Sequence, residues 1–278
     1  MTARPTTSRV LWDGAVAVDC FGRSSGNWAL KGYERSESEA YNPGIGRKIE
    51  ALLRTHRIGR LYMPSPHQFN AKLACPTELR VPWKDGQIFR GVDAEGVLLD
   101  KIADACGIAS SDCPTIVARN PLTGLVIAAH AGRESLYDAD NLFRGFAPRR
   151  HTSVVDAIVE TLSGGDVRMV GSIQAYVACG ICQANFSHPY DASALGERNK
   201  KMCEHLKDAW GQAVAVHGHI SLFELITRQF EAKGVHPSHV RWDQTDTFSD
   251  KEGGVHQWHS HRRDQNGERN FVLVTRRF

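Results

Sequence analysis

A chain of 278 residues, 41% hydrophobic and 23% charged, has the composition of an ordinary globular protein able to bury a full core. Its formal net charge of +3 is too mild to argue for a nucleic-acid or membrane partner. No apolar run reaches the length of a transmembrane helix, and MTARPTTSRV lacks the apolar core of a signal peptide, so a cytoplasmic location is expected.

The seven cysteines (Cys20, Cys75, Cys106, Cys113, Cys179, Cys182 and Cys203) are odd in number, which favours a reducing compartment and thiols used singly. No linker, internal repeat or low-complexity tract divides the chain, so one domain over residues 1–278 is expected. Val16, Ala17 and Val18 begin a strand, and a polar stretch containing Ser24-Ser25-Gly26-Asn27-Trp28 follows. Ile45, Ile49, Leu52 and Leu53 keep helical spacing, so a helix is expected over 44–57, with Arg47 in its first turn. Residues 58–63 read as a strand leading into Pro64-Ser65-Pro66-His67-Gln68.

Two β-prone runs, TIVAR and LVIAAH, then flank Asn120-Pro121-Leu122-Thr123-Gly124, which reads as a hairpin loop. Pairing Arg119 with Leu125 carries the ladder back until Pro114 faces His130. Cys113 and His130 then lie at the open end of the hairpin, but on opposite faces unless a bulge or the proline intervenes. A buried thiol beside a hydrogen-bonded histidine is the bland reading of such a pair.

Val154, Val155, Ile158, Val159 and Leu162 define a helix over 152–162, capped by Thr152 or Ser153 and ended by Gly164-Gly165. A strand over 171–177 leads to Cys179-Gly180-Ile181-Cys182, a spacing open to a redox pair or half of a zinc site, with no second such pair to complete the latter. A charged helix is expected over 193–210. Ser221-Leu222-Phe223-Glu224 is a capping box opening a helix over 221–233 that Gly234 ends. Strands outnumber helices, so the expected class is α+β, with helices covering layered sheets.

Asp112-Cys113 with His130-Ala131-Gly132 resembles the ADC…HAG core of the laccase-domain family, also called the YfiH-type or multicopper polyphenol oxidoreductase family. His259-Ser260-His261-Arg262-Arg263-Asp264 and the strand after it resemble the family's closing FFSYRRD…GRMA strand pair. Residues 91–98 resemble its aDAlvT strand, Cys179–Cys182 its GPCIG turn, and His67 stands where its QVHG histidine would. The chain departs from the family at Arg133-Glu134 in HAGWRG, at Gly46 before Arg47, and at Ser187 after the aromatic Phe186.

The resemblance implies a four-layer α/β/β/α mixed-sheet fold and a zinc ion held by His67, Cys113 and His130. It further implies phosphorolysis of adenosine- or inosine-type purine nucleosides, with adenosine deamination as a second activity. The partners would be a nucleoside and phosphate, and Arg47 and Arg133 are the candidate anion contacts. Three alternatives stand beside this reading. His₂Cys is also a copper ligand set, which suits an oxidase, although His217/His219 and His259/His261 make no full copper-cluster pattern. Cys113 and His130 could act without metal as a hydrolase. A peptidoglycan-editing role assigned to some relatives is the third.

Overall fold

The computed structural model describes residues 4–29, 43–64, 71–75, 82–83, 87–92, 94–138 and 152–277. Two sheets are stacked face to face. Numbering strands in chain order, the first sheet holds β1 (Thr7–Leu11), β2 (Val16–Phe21), β3 (Arg60–Pro64), β5 (Pro82–Trp83), β6 (Ile88–Val92), β8 (Asp104–Ser110) and β17 (Asn270–Arg276). The second holds β4 (Leu73–Ala74), β7 (Gly96–Leu99), β9 (Thr115–Asn120), β10 (Leu125–His130), β11 (Gln174–Ala178) and β14 (Val240–Trp242). Their orders are β1-β2-β17-β8-β3-β6-β5 and β14-β11-β9-β10-β7-β4. Two small hairpins, β12–β13 (Ala215–Val216, His219–Ile220) and β15–β16 (Lys251–Glu252, Val255–His256), stand outside both.

Three apolar layers hold this stack together. Between the sheets, Val18, Cys106, Ile108, Val272 and Val274 of the first meet Val97, Leu99, Val117, Val126 and Ala128 of the second. On the outer face of the first sheet, α1 (Pro43–Thr55) packs Ile45, Ile49 and Leu52 against Phe21, Leu61, Phe271 and Leu273. On the outer face of the second, α3 (Val154–Ser163) and α6 (Leu222–Ala232) cover Ile116, Ala118, Ile127 and Ala129. The result is the four-layer α/β/β/α, α+β arrangement. A sheet covered on both faces explains why LVIAAH reads as a continuous apolar run rather than an alternating one.

The helices follow their sequence signals closely. Ser153 accepts the Asp156 amide at the N-terminus of α3, and Gly164 ends it in the left-handed region at φ 59°. Ser221 caps α6 through the Glu224 amide, and Ser193 caps α5 (Ala194–Trp210) through Gly196. Fully burying Ile158 or Leu162 of α3 stabilises the fold by about 1.5–3 kcal/mol each. Three more helices are single turns: α2 (Arg133–Leu136), α4 (Val167–Val170) and α7 (His261–Asp264).

Three local expectations are corrected. The hairpin pairs Asn120, not Arg119, with Leu125, because the Gly124 amide closes the loop on the Asn120 carbonyl at 2.8 Å. Asn120 is itself a buried strand residue whose side-chain amide donates to the Leu162 carbonyl at the end of α3. The one-residue shift brings Thr115 opposite His130. Cys113, two residues before Thr115, then falls on the same side as His130 by simple alternation, with no bulge required. Residues 91–98 are not one strand either, since β6 belongs to the first sheet and β7 to the second, and the chain crosses between them near Ala94-Glu95. Finally, residues 261–264 are helical, so only residues 270–276 of the closing segment form a strand.

Candidate functional site

The hairpin's open end forms one wall of a cavity of about 610 Å³, lined among others by Ser111, Cys113, His130, Gly132, Phe186 and Arg262. Backbone pairing fixes the first two candidate side chains, Cys113 and His130. The Ala131 amide donates to the Pro114 carbonyl at 2.8 Å, extending the ladder past His130, and the Ser110 hydroxyl donates to the Cys113 carbonyl at 2.8 Å. A Cβ added to Gly132 would fall 2.8 Å from His130 Cε1, 3.3 Å from His130 Nε2 and 3.2 Å from Cys113 Sγ. Thiol and imidazole therefore converge on a space that only glycine leaves open.

His130 has a second partner that the sequence reading missed. Its Nδ1 lies 2.8 Å from Glu95 Oε2, and the Glu95 side chain is 0% exposed. The carboxylate sits at the crossing between the sheets, where the Glu95 carbonyl also accepts the His130 amide at 2.8 Å. Its other oxygen, Oε1, has no hydrogen-bond partner among the described residues. Burial alone would lower the His130 pKa, but hydrogen bonds to Cys113 and Glu95 outweigh it and lift the value to about 10. With Nδ1 engaged by Glu95, Nε2 is the nitrogen left for chemistry at Cys113.

Cationic side chains line the same cavity. Arg133 lines the cavity, and its guanidinium is paired with Glu134 beside it. Arg262 and Arg269 line it as well. Arg262 lies over the Phe186 ring at 4.9 Å and contacts His188 Nε2 at 3.4 Å, while its backbone amide donates to Asp112 Oδ2 at 2.8 Å. Arg269 donates to Ser111 Oγ at 2.9 Å, and its backbone amide donates to Asn27 Oδ1 at 3.0 Å. Thus the polar loop near Asn27 and the RRD segment both hold this wall.

Arg47 is exposed on α1 and is not among the residues that line the cavity. His67 lies outside the described residues. Among the described residues no group of three or more His, Cys, Asp or Glu side chains is arranged to hold a metal ion. Cys179 and Cys182 turn to different partners, Cys20 and Asp246 respectively, so they do not face each other as a dithiol pair. His261 is on the cavity wall, whereas His259 is buried beside Glu268 at 3.1 Å.

Comparison with known proteins places this architecture. The family model described as multi-copper polyphenol oxidoreductase laccase matches residues 77–276. The chain belongs to this laccase-domain family. Among solved structures, the Bacillus licheniformis hypothetical protein YfiH matches at TM-score 0.63 and 12% identity, covering 94% of this chain and 92% of that one. YlmD from Geobacillus stearothermophilus matches at TM-score 0.63 and 16% identity, covering 95% and 92%. The Neisseria meningitidis protein NMB0706 matches at TM-score 0.62 and 17% identity, covering 98% and 99%. At these identities the three share the fold. No curated protein matches the chain in sequence. The laccase-domain core residues Cys113 and His130 meet in the cavity, and the departure at Arg133-Glu134 forms an ion pair on its wall.

Proposed function

We propose that this laccase-domain protein cleaves purine nucleosides of the adenosine and inosine type with phosphate, at a zinc site held by Cys113, His130 and His67. One observation carries the reading: a thiol and an ordered imidazole share a cavity with guanidinium groups. The glycine cradle at Gly132 and the soft thiolate-imidazole donor set fit zinc, as does a carboxylate on the far nitrogen of a ligating histidine. Zinc bound there supplies a Lewis acid.

The chain's own residues cover the other needs of phosphorolysis. The attacking phosphate dianion calls for guanidinium partners, which Arg133, Arg262 and Arg269 provide. Glu95 keeps His130 in one tautomer and one orientation, so no reorganisation is needed when substrate arrives.

The test is metal content measured together with base release from adenosine and inosine, with and without phosphate. The expected result is about one zinc per chain and phosphate-dependent release of base with formation of ribose 1-phosphate. No base release from any purine nucleoside by metal-loaded protein would overturn the reading. The Cys113–His130–Glu95 line also favours a second reading, a cysteine hydrolase with Cys113 as nucleophile, His130 as its proton-transfer partner and Glu95 as orienting carboxylate. An active protein that contains no metal would select it.

A further inference from the structure

The single turn of α7 brings two side chains to the cavity that neither the thiol–imidazole pair nor the guanidinium groups use. His261 and Gln265 both line it. They are four residues apart on one turn, so they share a helix face, and the Gln265 amide donates to the His261 carbonyl at 3.0 Å. Gln265 ends the helix in the left-handed region, at φ 52° and ψ 28°. Glycine takes that position without penalty, whereas a glutamine is uncommon there. The chain therefore keeps an amide side chain at the cavity against a local backbone preference, a pattern that belongs to ligand contacts more than to helix ends.

Hydrogen bonds decide which end of each side chain is offered. Gln265 Nε2 donates to the Arg262 carbonyl at 3.0 Å, which sets the amide orientation. Its Oε1 is the end left for a ligand. His261 Nδ1 lies 3.3 Å from the Asn266 carbonyl. A carbonyl only accepts, so Nδ1 carries the proton, and Nε2 of the neutral ring is an acceptor. One helix face thus ends in two acceptors. Pro64, Ile108 and Ala109 add apolar lining to the same cavity. A few fixed polar groups set against apolar lining orient a small molecule and choose between close analogues.

We propose that His261 and Gln265 are specificity-determining residues that read the exocyclic group of the purine and select a 6-amino base over a 6-oxo base. This rests on the phosphorylase reading for the ligand being a purine nucleoside, and deepens it by separating the adenosine type from the inosine type. A 6-amino group carries two N–H donors, one for each acceptor. A 6-oxo group turns a carbonyl oxygen towards the same two acceptors, and its neighbouring N1–H can satisfy only one of them. The unpaired polar groups, rather than any loss of contact area, do the discriminating. Both side chains are exposed, so water softens the penalty and the preference is modest.

Calorimetric titration of the metal-loaded protein with adenosine, and separately with inosine, tests it, together with kcat/KM for base release from each. Adenosine should bind about tenfold more tightly than inosine. His261→Ala and Gln265→Ala should each lower that ratio about twofold to tenfold, the worth of one hydrogen bond. A ratio measured on one sample does not depend on the fraction of protein that is folded. Gln265→Glu keeps an acceptor and should retain the preference, whereas Gln265→Lys presents only donors and should move it towards inosine. Equal affinity or tighter inosine binding in the wild type, or an unchanged ratio in both alanine variants, would overturn the proposal. Binding of neither nucleoside would remove it together with the phosphorylase reading. Phosphate-dependent base release from the two nucleosides at equal efficiency would overturn the proposal and leave the phosphorylase reading standing. Adenosine-selective binding that the variants lose, without base release from any purine nucleoside, would do the reverse.

Discussion

Replacing Glu95 by Ala isolates the residue that the sequence reading overlooked. The carboxylate is fully buried and lies 2.8 Å from His130 Nδ1, so its removal leaves a buried imidazole N–H without an acceptor. A hydrogen bond to a charged group is worth about 1.5–3 kcal/mol, which corresponds to about tenfold to a hundredfold in an equilibrium constant. Loss of a carboxylate behind a metal-ligating histidine costs metal affinity by about the same factor. Zinc affinity of Glu95→Ala, measured by competition with a chelator, should therefore fall within that range. Glu95→Gln, which can still accept the Nδ1 proton but carries no charge, should fall less. Cys113→Ser is the yardstick and should lose most of the metal, since a hydroxyl poorly replaces thiolate at neutral pH. A folded Glu95→Ala protein with wild-type zinc affinity would show that Glu95 does not govern His130 as a ligand.

Gly132→Ala should abolish metal binding with little loss of fold, because its Cβ would meet His130 and Cys113 within 3.3 Å; circular dichroism and metal analysis on one sample check both halves. Gly107→Ala should lower stability by about 1–3 kcal/mol in denaturant melts, since its Cβ would lie 2.3 Å from Phe271, which stacks on Trp28. His188 gives a pH signature. Its folded-state pKa of about 3 lies below the ordinary 6.5, so between those values the unfolded chain binds more protons and stability falls with acidity. The urea midpoint should drop as pH falls from about 6.5 towards 3, and less steeply in His188→Gln. Arg47→Ala should leave the KM for phosphate within about twofold, whereas Arg133→Ala should raise it; equal effects would contradict the placement of Arg47 outside the cavity.

The helices were legible because their caps and apolar spacing are local. Ser153, Ser221 and Gly164 act within one turn of themselves, and the structure uses each as the sequence suggests. The hairpin was legible in kind but slipped by one residue, because Asn120 looks like a turn residue. Its side chain is instead committed to the Leu162 carbonyl, a contact 42 residues away that no local rule reports. Cys113 and His130 were found together because a single hairpin joins them. Glu95 was missed because it belongs to a chain crossing between sheets, where an acidic residue in an apolar run resembles an ordinary exposed strand position. Arg262 lay inside a recognised motif, but its contacts with the Phe186 ring and with His188, 74 residues away, are reported by no local rule.

β17 lies between β2 and β8, deep within the first sheet, although it follows every other strand in the chain. Its first residue, Asn270, donates to the Ser111 and His259 carbonyls, and its neighbour Arg269 is on the cavity wall. Docking this strand therefore closes the sheet and completes the site in one event. Until then β2 and β8 present open edges, a slow and aggregation-exposed stage set by long-range contacts. An anion that binds only the finished wall would act as a folding effector, drawing the population past that stage by mass action.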